Sequence, residues 1–467
     1  MESKITFYGA AGSVTGSHFL LEVDSPSASL GATKIRILVD CGLRQGMGEE
    51  HNWDDFPYDP KDIGRLFVTH AHLDHIGRIP KLVKDGFVGE IISTKATKVL
   101  AEPMLYDAME ILRHHSERLG KKELYGKEDI QKALSLWRGV DYHKEIEAGS
   151  VVVKFFDAGH ILGSAMIRFE RDGRAVAFTG DLGGGNSPLL SPTEELPSVQ
   201  YLVMEGTYGD RTRPQDKERR ERLEDDVEDA AARGGSLIIP AFSTERTQDL
   251  LFDIRALMEE RRVPLLPVYL DSPLAEKITD AYLRYPEYFA PDIRKRIDSG
   301  EKIFSFPQLR FVATPEESHA LDANSEQKII LAGSGMSSGG RVFGHEKKYL
   351  PDPKSTLLIV GYQAVGTIGR QLIEGTKSIT VRPRRAGSGA EKIPVRAHIE
   401  ELYGYSAHSD GEELLEFANK ASAKGCKEIF IVHGEPASTM FLAQRIRDYL
   451  GTKAIAPEAG QSATIQF

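Results

Sequence analysis

The sequence predicts an α/β protein of two domains, in which a doubly wound domain is inserted into a first domain. The chain has 467 residues, which is more than a single hydrophobic core usually serves. In the first 205 residues, short β-branched runs repeatedly end in His, Asp or Glu. Residues 236–360 instead alternate short strands with helices, as a mostly parallel sheet requires. We therefore expect a first domain at 1–208 and 396–467 and an inserted domain at 209–395.

The composition is that of an ordinary globular protein. Hydrophobic residues make up 40% and charged residues 27% of the chain, and no apolar run approaches the roughly 18 residues of a membrane-spanning helix. The N-terminus lacks the apolar segment of a signal peptide, and two cysteines, Cys41 and Cys426, are too few for a disulfide framework. We therefore expect a cytoplasmic protein. A net charge of −10 argues against coating of nucleic acid, although a local groove could still bind a phosphate backbone.

The densest cluster of polar residues follows the apolar run 66–68. It contains His70, His72, Asp74 and His75 within six positions. The apolar run predicts a buried strand, and we expect the cluster to lie on the loop that leaves its C-terminal end. Neutral His nitrogen and Asp oxygen are the usual ligands of zinc and related metals. The pattern therefore favours a metal site over a solvated polar loop.

Later strands end in residues of the same kind. His160 follows the predicted strand 151–156, and Asp181 follows the strand 174–178. Either residue alone would usually be structural, but after the histidine cluster both become candidate ligands. Asp40, at the end of strand 34–39, is either a turn residue before Gly42 or an acceptor for a ligand imidazole. Three more residues continue the pattern around the inserted segment: Glu205, His408 and His433.

Assembled in this order, the sequence resembles the β-CASP group of the metallo-β-lactamase superfamily, in particular its RNA-cleaving members. The superfamily's motifs match Asp40, the cluster 70–75, His160 and Asp181, and the β-CASP signatures match Glu205, His408 and His433. The resemblance implies an αββα sandwich with an inserted β-CASP domain. The short segment after His433 leads us to expect no appended domain of the longer RNase J type.

The resemblance also implies a ligand set and two zinc ions per chain, with manganese as an alternative. One ion would be bound by His70, His72 and His160, and the second by Asp74, His75 and His433, with Asp181 bridging. Asp40 would then support a ligand histidine. Asp74 would also orient the attacking hydroxide, and His408, oriented by Glu205, would hold the scissile phosphate or protonate the leaving oxygen.

By the same resemblance, the substrate is RNA, cleaved internally to leave 5′-phosphate and 3′-hydroxyl ends. A 5′→3′ exoribonuclease is the alternative, a small-molecule metallo-hydrolase a weaker one and a non-catalytic scaffold the least favoured, and a homodimer is compatible with the family. The candidate phosphate contacts are Arg246, Ser334, Gly335, Arg341 and Arg370. Glu245 beside Arg246 departs from the family pattern, and the basic loop that runs from Arg382 to Gly389 is either a further phosphate contact or a solvated surface.

Overall fold

The computed structural model describes residues 2–24, 34–46, 48–212, 216–337, 339–361, 363, 366–381, 391–402 and 404–467. The loop from Arg382 to Gly389 lies outside the described residues. The chain divides into two compact units. The first comprises Met1–Gly185, Leu190–Thr212 and His408–Phe467, and the second comprises Asn186–Leu189 and Arg213–Ala407.

The N-terminal part of the first unit is built mainly from strands. The strands are β1 (Glu2–Gly9), β2 (His18–Asp24), β3 (Lys34–Val39), β4 (Arg65–Phe67), β5 (Glu90–Thr94), β6 (Trp137–Val140), β7 (Ile146–Ala148), β8 (Val151–Asp157), β9 (Ala165–Arg171), β10 (Arg174–Phe178) and β11 (Tyr201–Glu205). The helices are α1 (Leu73–Ile76), α2 (Ile79–Lys84), α3 (Lys95–Leu119) and α4 (Lys127–Ser135), with 3-10 turns at Glu49–Trp53 and Pro60–Asp62. Helix α3 begins where the Thr94 hydroxyl accepts a hydrogen bond from the Thr97 N–H, and it ends at Gly120.

The second unit alternates helices and strands. Its strands are β12 (Leu237–Pro240), β13 (Val268–Asp271), β14 (Leu309–Phe311), β15 (Ile329–Ala332), β16 (Thr356–Ile359), β17 (Ser378–Val381), β18 (Glu391–Pro394) and β19 (His398–Glu401). Its helices are α5 (Asp216–Ala232), α6 (Arg246–Glu259), α7 (Pro273–Leu283), α8 (Pro291–Asp298), α9 (Pro315–Ala323), α10 (Val342–Tyr349) and α11 (Ile368–Ile373), with a 3-10 turn at Pro286–Tyr288. In its described residues, a parallel sheet runs β14-β13-β15-β12-β16-β19 and a hairpin joins β17 to β18.

The chain then returns to the first unit. The returning elements are α12 (Gly411–Ala423), β20 (Glu428–Val432), α13 (Pro436–Arg445), a π-helical turn at Ile446–Leu450, β21 (Lys453–Ile455) and β22 (Ser462–Gln466). In the described residues of this unit, one sheet runs β22-β1-β2-β3-β4-β5-β6 and the other runs β21-β20-β11-β10-β9-β8-β7. Inward-facing side chains of both sheets, including Phe7, Phe67, Phe169 and Phe430, form one buried core.

Two local features differ from the sequence-based expectations. Residues 73–76 form the single turn of helix α1 instead of remaining in a loop, so only His70 and His72 precede regular structure. Residues 396–407 were expected in the returning part of the first domain, but β19 pairs with β16 and this segment belongs to the second unit. Within the described ranges, no helix has both the length and the apolar character needed to cross a membrane.

Candidate metal centre

Three histidines and one carboxylate converge on a first point in the first unit. Nδ1 of His72 lies 3.0 Å from Nε2 of His70 and 3.2 Å from Nε2 of His160. Oδ2 of Asp181 lies 3.4 Å from Nε2 of both His70 and His160. Ligands that bind a tetrahedral zinc ion at about 2.0–2.1 Å lie about 3.3 Å from one another. The spacing of these four atoms therefore matches a shared metal ion.

A second cluster adjoins the first through Asp181. Nε2 of His433 lies 3.2 Å from Nε2 of His75 and 3.2 Å from Oδ2 of Asp74. Oδ1 of Asp181 lies 3.3 Å from Nε2 of His75 and 3.6 Å from Nε2 of His433. This oxygen is buried and accepts no hydrogen bond from the described residues. A buried carboxylate oxygen without a donor is costly unless a cation faces it, so the second cluster also fits a metal ion.

Backbone contacts hold the residues of the histidine cluster in place. The Asp74 carbonyl accepts a hydrogen bond from Ser17 N–H, and the His75 carbonyl accepts one from Cys41 N–H. Gly42 packs so closely that a Cβ there would lie 1.6 Å from the Asp74 carbonyl oxygen. Any side chain at position 42 would therefore displace the backbone of Asp74 and His75.

The histidines of the two clusters differ in the direction of their pKa shifts. Burial lowers the pKa of His70, His72 and His160, so these imidazoles are neutral and their nitrogen lone pairs are available to a metal. Burial also opposes protonation of His75 and His433, but nearby carboxylates outweigh it and raise the pKa of both: Asp181 and Asp40 act on His75, and Asp181 and Asp74 act on His433. The second cluster therefore attracts positive charge, as a cation site should.

Asp40 has the contacts expected of an acceptor for a ligand imidazole. Its φ of 58° lies in the left-handed region. Its carboxylate is fully buried and lies 2.8 Å from each of three donors: Thr69 N–H, the Thr69 hydroxyl and Nδ1 of His75. Because Nε2 of His75 faces the second cluster, Nδ1 carries the proton that Asp40 accepts.

His408 and Glu205 form a pair beside the first cluster. Nδ1 of His408 lies 3.2 and 3.1 Å from the two carboxylate oxygens of Glu205. Glu205 is fully buried and also accepts a hydrogen bond from Leu182 N–H. The His408 and His160 rings lie 4.7 Å apart. Donation from Nδ1 leaves Nε2 as the ring atom that can act on a substrate.

The five candidate phosphate contacts all lie in the second unit, where several already have protein partners. Arg246 is buried, its Nε donates to the Tyr405 carbonyl and its guanidinium stacks 4.5 Å from the Phe242 ring. Arg341 donates to Asp271 at 2.5 Å, and Arg370 donates to Glu374 at 2.7 Å. Gly335 is packed against Phe242 so closely that a Cβ would lie 2.4 Å from the ring. Ser334 lies in the turn after β15, where its N–H donates to the carbonyl of Gly339.

Two threonines that the sequence did not single out support the ligands. The buried Thr69 hydroxyl contacts both Asp40 and Nδ1 of His70, at 2.8 and 3.1 Å. The Thr207 hydroxyl donates to the carbonyl of His433 and lies 3.3 Å from its Nδ1. Thr69 is the residue immediately before the histidine cluster, and Thr207 follows Glu205 by two positions, so sequence proximity was the available signal.

Comparisons with known proteins agree with this arrangement. The model of the metallo-beta-lactamase superfamily matches residues 30–264, the Beta-Casp domain matches 247–372, and the Zn-dependent metallo-hydrolase RNA specificity domain matches 392–457. A crystal structure of a protein of unknown function from Enterococcus faecalis covers 100% of both chains with a TM-score of 0.54 and 12% identity, which supports the fold alone.

Curated relatives cover most of the chain. Ribonuclease TTHA0252 of Thermus thermophilus is 36% identical over 94% of this chain and 95% of its own length. Transcription termination factor FttA of Methanosarcina mazei is 32% identical over 95% and 68%, and RNase aCSPSF2 of Saccharolobus solfataricus is 30% identical over 95% and 83%. The family resemblance and fold class predicted from the sequence are confirmed: the chain belongs to the β-CASP group of the metallo-β-lactamase superfamily, a superfamily of metal-dependent hydrolases.

Proposed function

We propose that this protein is a ribonuclease that uses two divalent metal ions to hydrolyse RNA internally, leaving 5′-phosphate and 3′-hydroxyl ends. The main support is one geometric feature. Two ligand clusters share Asp181, and the His408–Glu205 pair lies beside them. Two nearby metals and an adjacent acid suit displacement at phosphorus, in which both the attacking and the leaving oxygen must be stabilised. The names of two relatives, both ribonucleases, point to RNA as the polymer.

The residues divide between two metal positions. His70, His72 and His160 would bind one ion, Asp74, His75 and His433 would bind the other, and Asp181 would bridge them. All of these donors are nitrogen or oxygen, which suits zinc and also manganese. When bound, the metals would lower the pKa of a water molecule and neutralise charge on the phosphate.

The protein's own groups position that chemistry. Asp40 fixes the His75 tautomer through the Nδ1 proton. Glu205 does the same for His408, so that Nε2 of His408 can hold a non-bridging oxygen or deliver a proton to the leaving 3′-oxygen. Asp74 lies at the edge of the second cluster, where its carboxylate can accept a hydrogen bond from the attacking water.

The test is cleavage of doubly end-labelled RNA by wild type and a His408→Ala variant, with bound metal measured in the same samples. We expect the variant to keep its metals and lose roughly 10²- to 10⁴-fold in rate, which is the usual contribution of a positioned acid. His143→Ala is the matched control, because His143 forms an exposed pair with Glu194 at 2.9 Å.

Three outcomes discriminate between the possibilities. Full activity of His408→Ala would remove the role given to that residue. Immediate release of mononucleotides from the 5′ end would replace the endonuclease with a 5′→3′ exoribonuclease. Hydrolysis of a lactam or thioester, with RNA left intact, would make the protein a small-molecule hydrolase.

The second unit offers proposed contacts to the RNA backbone. Glycine-rich residues 333–340 follow the parallel strand β15, where backbone N–H groups commonly bind phosphate. Ser334, Gly335, Arg341 and Arg370 stay candidate contacts: the two guanidinium groups donate to carboxylates, and the Ser334 N–H donates to the Gly339 carbonyl.

A further inference from the structure

Helix α13 and the π-helical turn after it expose an unusual set of large apolar side chains. Met440 is 59%, Phe441 48% and Tyr449 72% exposed. Phe441, Arg445 and Tyr449 are spaced four residues apart, and residues at this spacing lie along one face of a helix. Exposed aromatic groups clustered on one face commonly mark a binding surface.

The three side chains of this face form an ordered ladder. The Arg445 guanidinium lies 5.9 Å from the centre of the Phe441 ring and 5.8 Å from that of Tyr449, within cation–π distance of both. Nη2 of Arg445 also contacts both carboxylate oxygens of Glu412, at 2.9 and 3.1 Å. Because Glu412 anchors the cation, both rings are held before any ligand arrives, which lowers the entropy cost of binding.

The ladder starts close to the metal centre along the chain. Pro436, the first residue of α13, follows the proposed ligand His433 by three positions. At 1.5 Å per helical residue, Phe441 and Tyr449 lie about 8 and about 20 Å along the helix from Pro436. A stacked strand rises about 3.4 Å per nucleotide, so these distances correspond to roughly two to six nucleotides. The helix also lies within residues 392–457, which match the RNA specificity domain.

We propose that Phe441 and Tyr449, held by Arg445, stack bases of single-stranded RNA that flank the scissile bond. Every base has an aromatic face, so such rings bind RNA without strict sequence preference. The rings are separated by a cation, and exposed polar residues surround them: Gln444, Arg447 and Asp448. Aromatic, Met and Arg side chains are also enriched at protein–protein interfaces, and the match of residues 392–457 to the RNA specificity domain is the observation that favours RNA here. This inference rests on the proposed ribonuclease activity.

Binding and photocrosslinking test the stacking surface. Metal-loaded His408→Ala protein, confirmed to leave the RNA intact, is mixed with an oligouridylate that carries one 5-iodouridine at successive positions. We expect crosslinks to Phe441 and Tyr449. Phe441→Leu and Tyr449→Leu keep an apolar side chain but remove the ring, and each should raise the Kd for RNA by roughly 5- to 150-fold. The slope of log Kd against log salt should stay unchanged, because neither ring carries a charge.

The controls separate this inference from the proposed function. Gln444→Ala changes an exposed polar residue of the same helix and should bind RNA as the parent does. Normal RNA binding and cleavage by the Leu variants, with crosslinks elsewhere, would overturn the stacking surface alone. Failure of the parent to bind RNA at all would overturn the ribonuclease proposal as well. A dimer that dissociates in Phe441→Ser/Tyr449→Ser, with an unchanged Kd for RNA, would make the face a subunit interface instead.

Discussion

Replacing Asp40 by Asn should selectively weaken the second metal position. The buried carboxylate accepts from Thr69 N–H on one oxygen and from the Thr69 hydroxyl and His75 Nδ1 on the other. Asn retains the shape and tolerates the φ of 58° as Asp does, but one oxygen becomes an NH₂ group. In either amide orientation, at least one of these buried donors then faces another donor.

Two independent arguments give the size of the effect. A buried donor that loses its acceptor costs about 1–3 kcal/mol. Loss of the acceptor behind a metal-binding histidine typically lowers metal affinity or activity about 10- to 100-fold, which corresponds to about 1.4–2.8 kcal/mol. We therefore expect 10- to 100-fold weaker binding at the position that contains His75, and a smaller change at the position of His70, His72 and His160.

The assay is titration of metal-free protein with chelator-buffered zinc, with occupancy read by native mass spectrometry and cleavage of end-labelled RNA measured at each step. Asp172→Asn is the matched control, since Asp172 also has a positive φ, 50°, but is exposed. Wild-type affinity at both positions in a folded Asp40→Asn protein would refute the role of Asp40. Equal losses at both positions would show that Asp40 supports the whole loop and not His75 in particular.

Three further predictions concern other parts of the molecule. Glu205→Gln should keep its metals but lose about 10- to 100-fold in cleavage rate, measured against bound metal. Removal of metal by a chelator should lower the free energy of unfolding by about 4 kcal/mol if the metal had been present at a thousandfold excess over its Kd. In thermal denaturation, the difference between metal-loaded and metal-free protein should be smaller for His433→Ala than for wild type. Burial raises the pKa of Glu346 to about 8 from its usual 4.5. As the pH rises, the unfolded chain therefore releases this proton before the folded protein does. The free energy of unfolding falls by at most about 5 kcal/mol between pH 4.5 and about pH 8. Glu346→Gln should abolish that part of the slope in denaturant titrations.

Strand ends were the part of the site that the sequence could predict. The sequence predicted Lys34–Val39 and Arg174–Phe178 with the bounds that the structure has, because β-branched runs stop sharply at polar residues there. The expected positions of Asp40 and Asp181 followed from those bounds. Helix α1 was missed, because a four-residue turn is too short to show a helical period.

Long-range partners were the part that the sequence could not predict. Arg341, a candidate phosphate contact, donates to Asp271, which lies 70 positions earlier in the chain. Asp271 also accepts from the fully buried His345, whose other nitrogen contacts Asp322. Nothing in the local pattern around Arg341 indicates this buried network, since it depends on how β13, α9 and α10 meet. The sequence alone therefore does not indicate which charged side chains already have an ion-pair partner in the folded protein.

The position of His433 shows how the first unit accommodates an insertion without losing its site. Strands β11 and β20 lie next to each other in parallel, with Glu205 opposite Val432, although residues 213–407 of the second unit lie between them in sequence. The chain leaves and returns at one place, because Tyr208 pairs with Asp410 and Gly411 N–H donates to the Arg211 carbonyl. The two ends of the insertion therefore lie close together in the first unit, as the ends of a short loop do. The entropy cost of closing a longer loop grows only logarithmically with its length. His433 is fixed by the register of this strand pair, and His408 by its bridge to Gly183. A residue slip between β11 and β20 would consequently remove His433 from the second cluster while leaving His70, His72 and His160 in place.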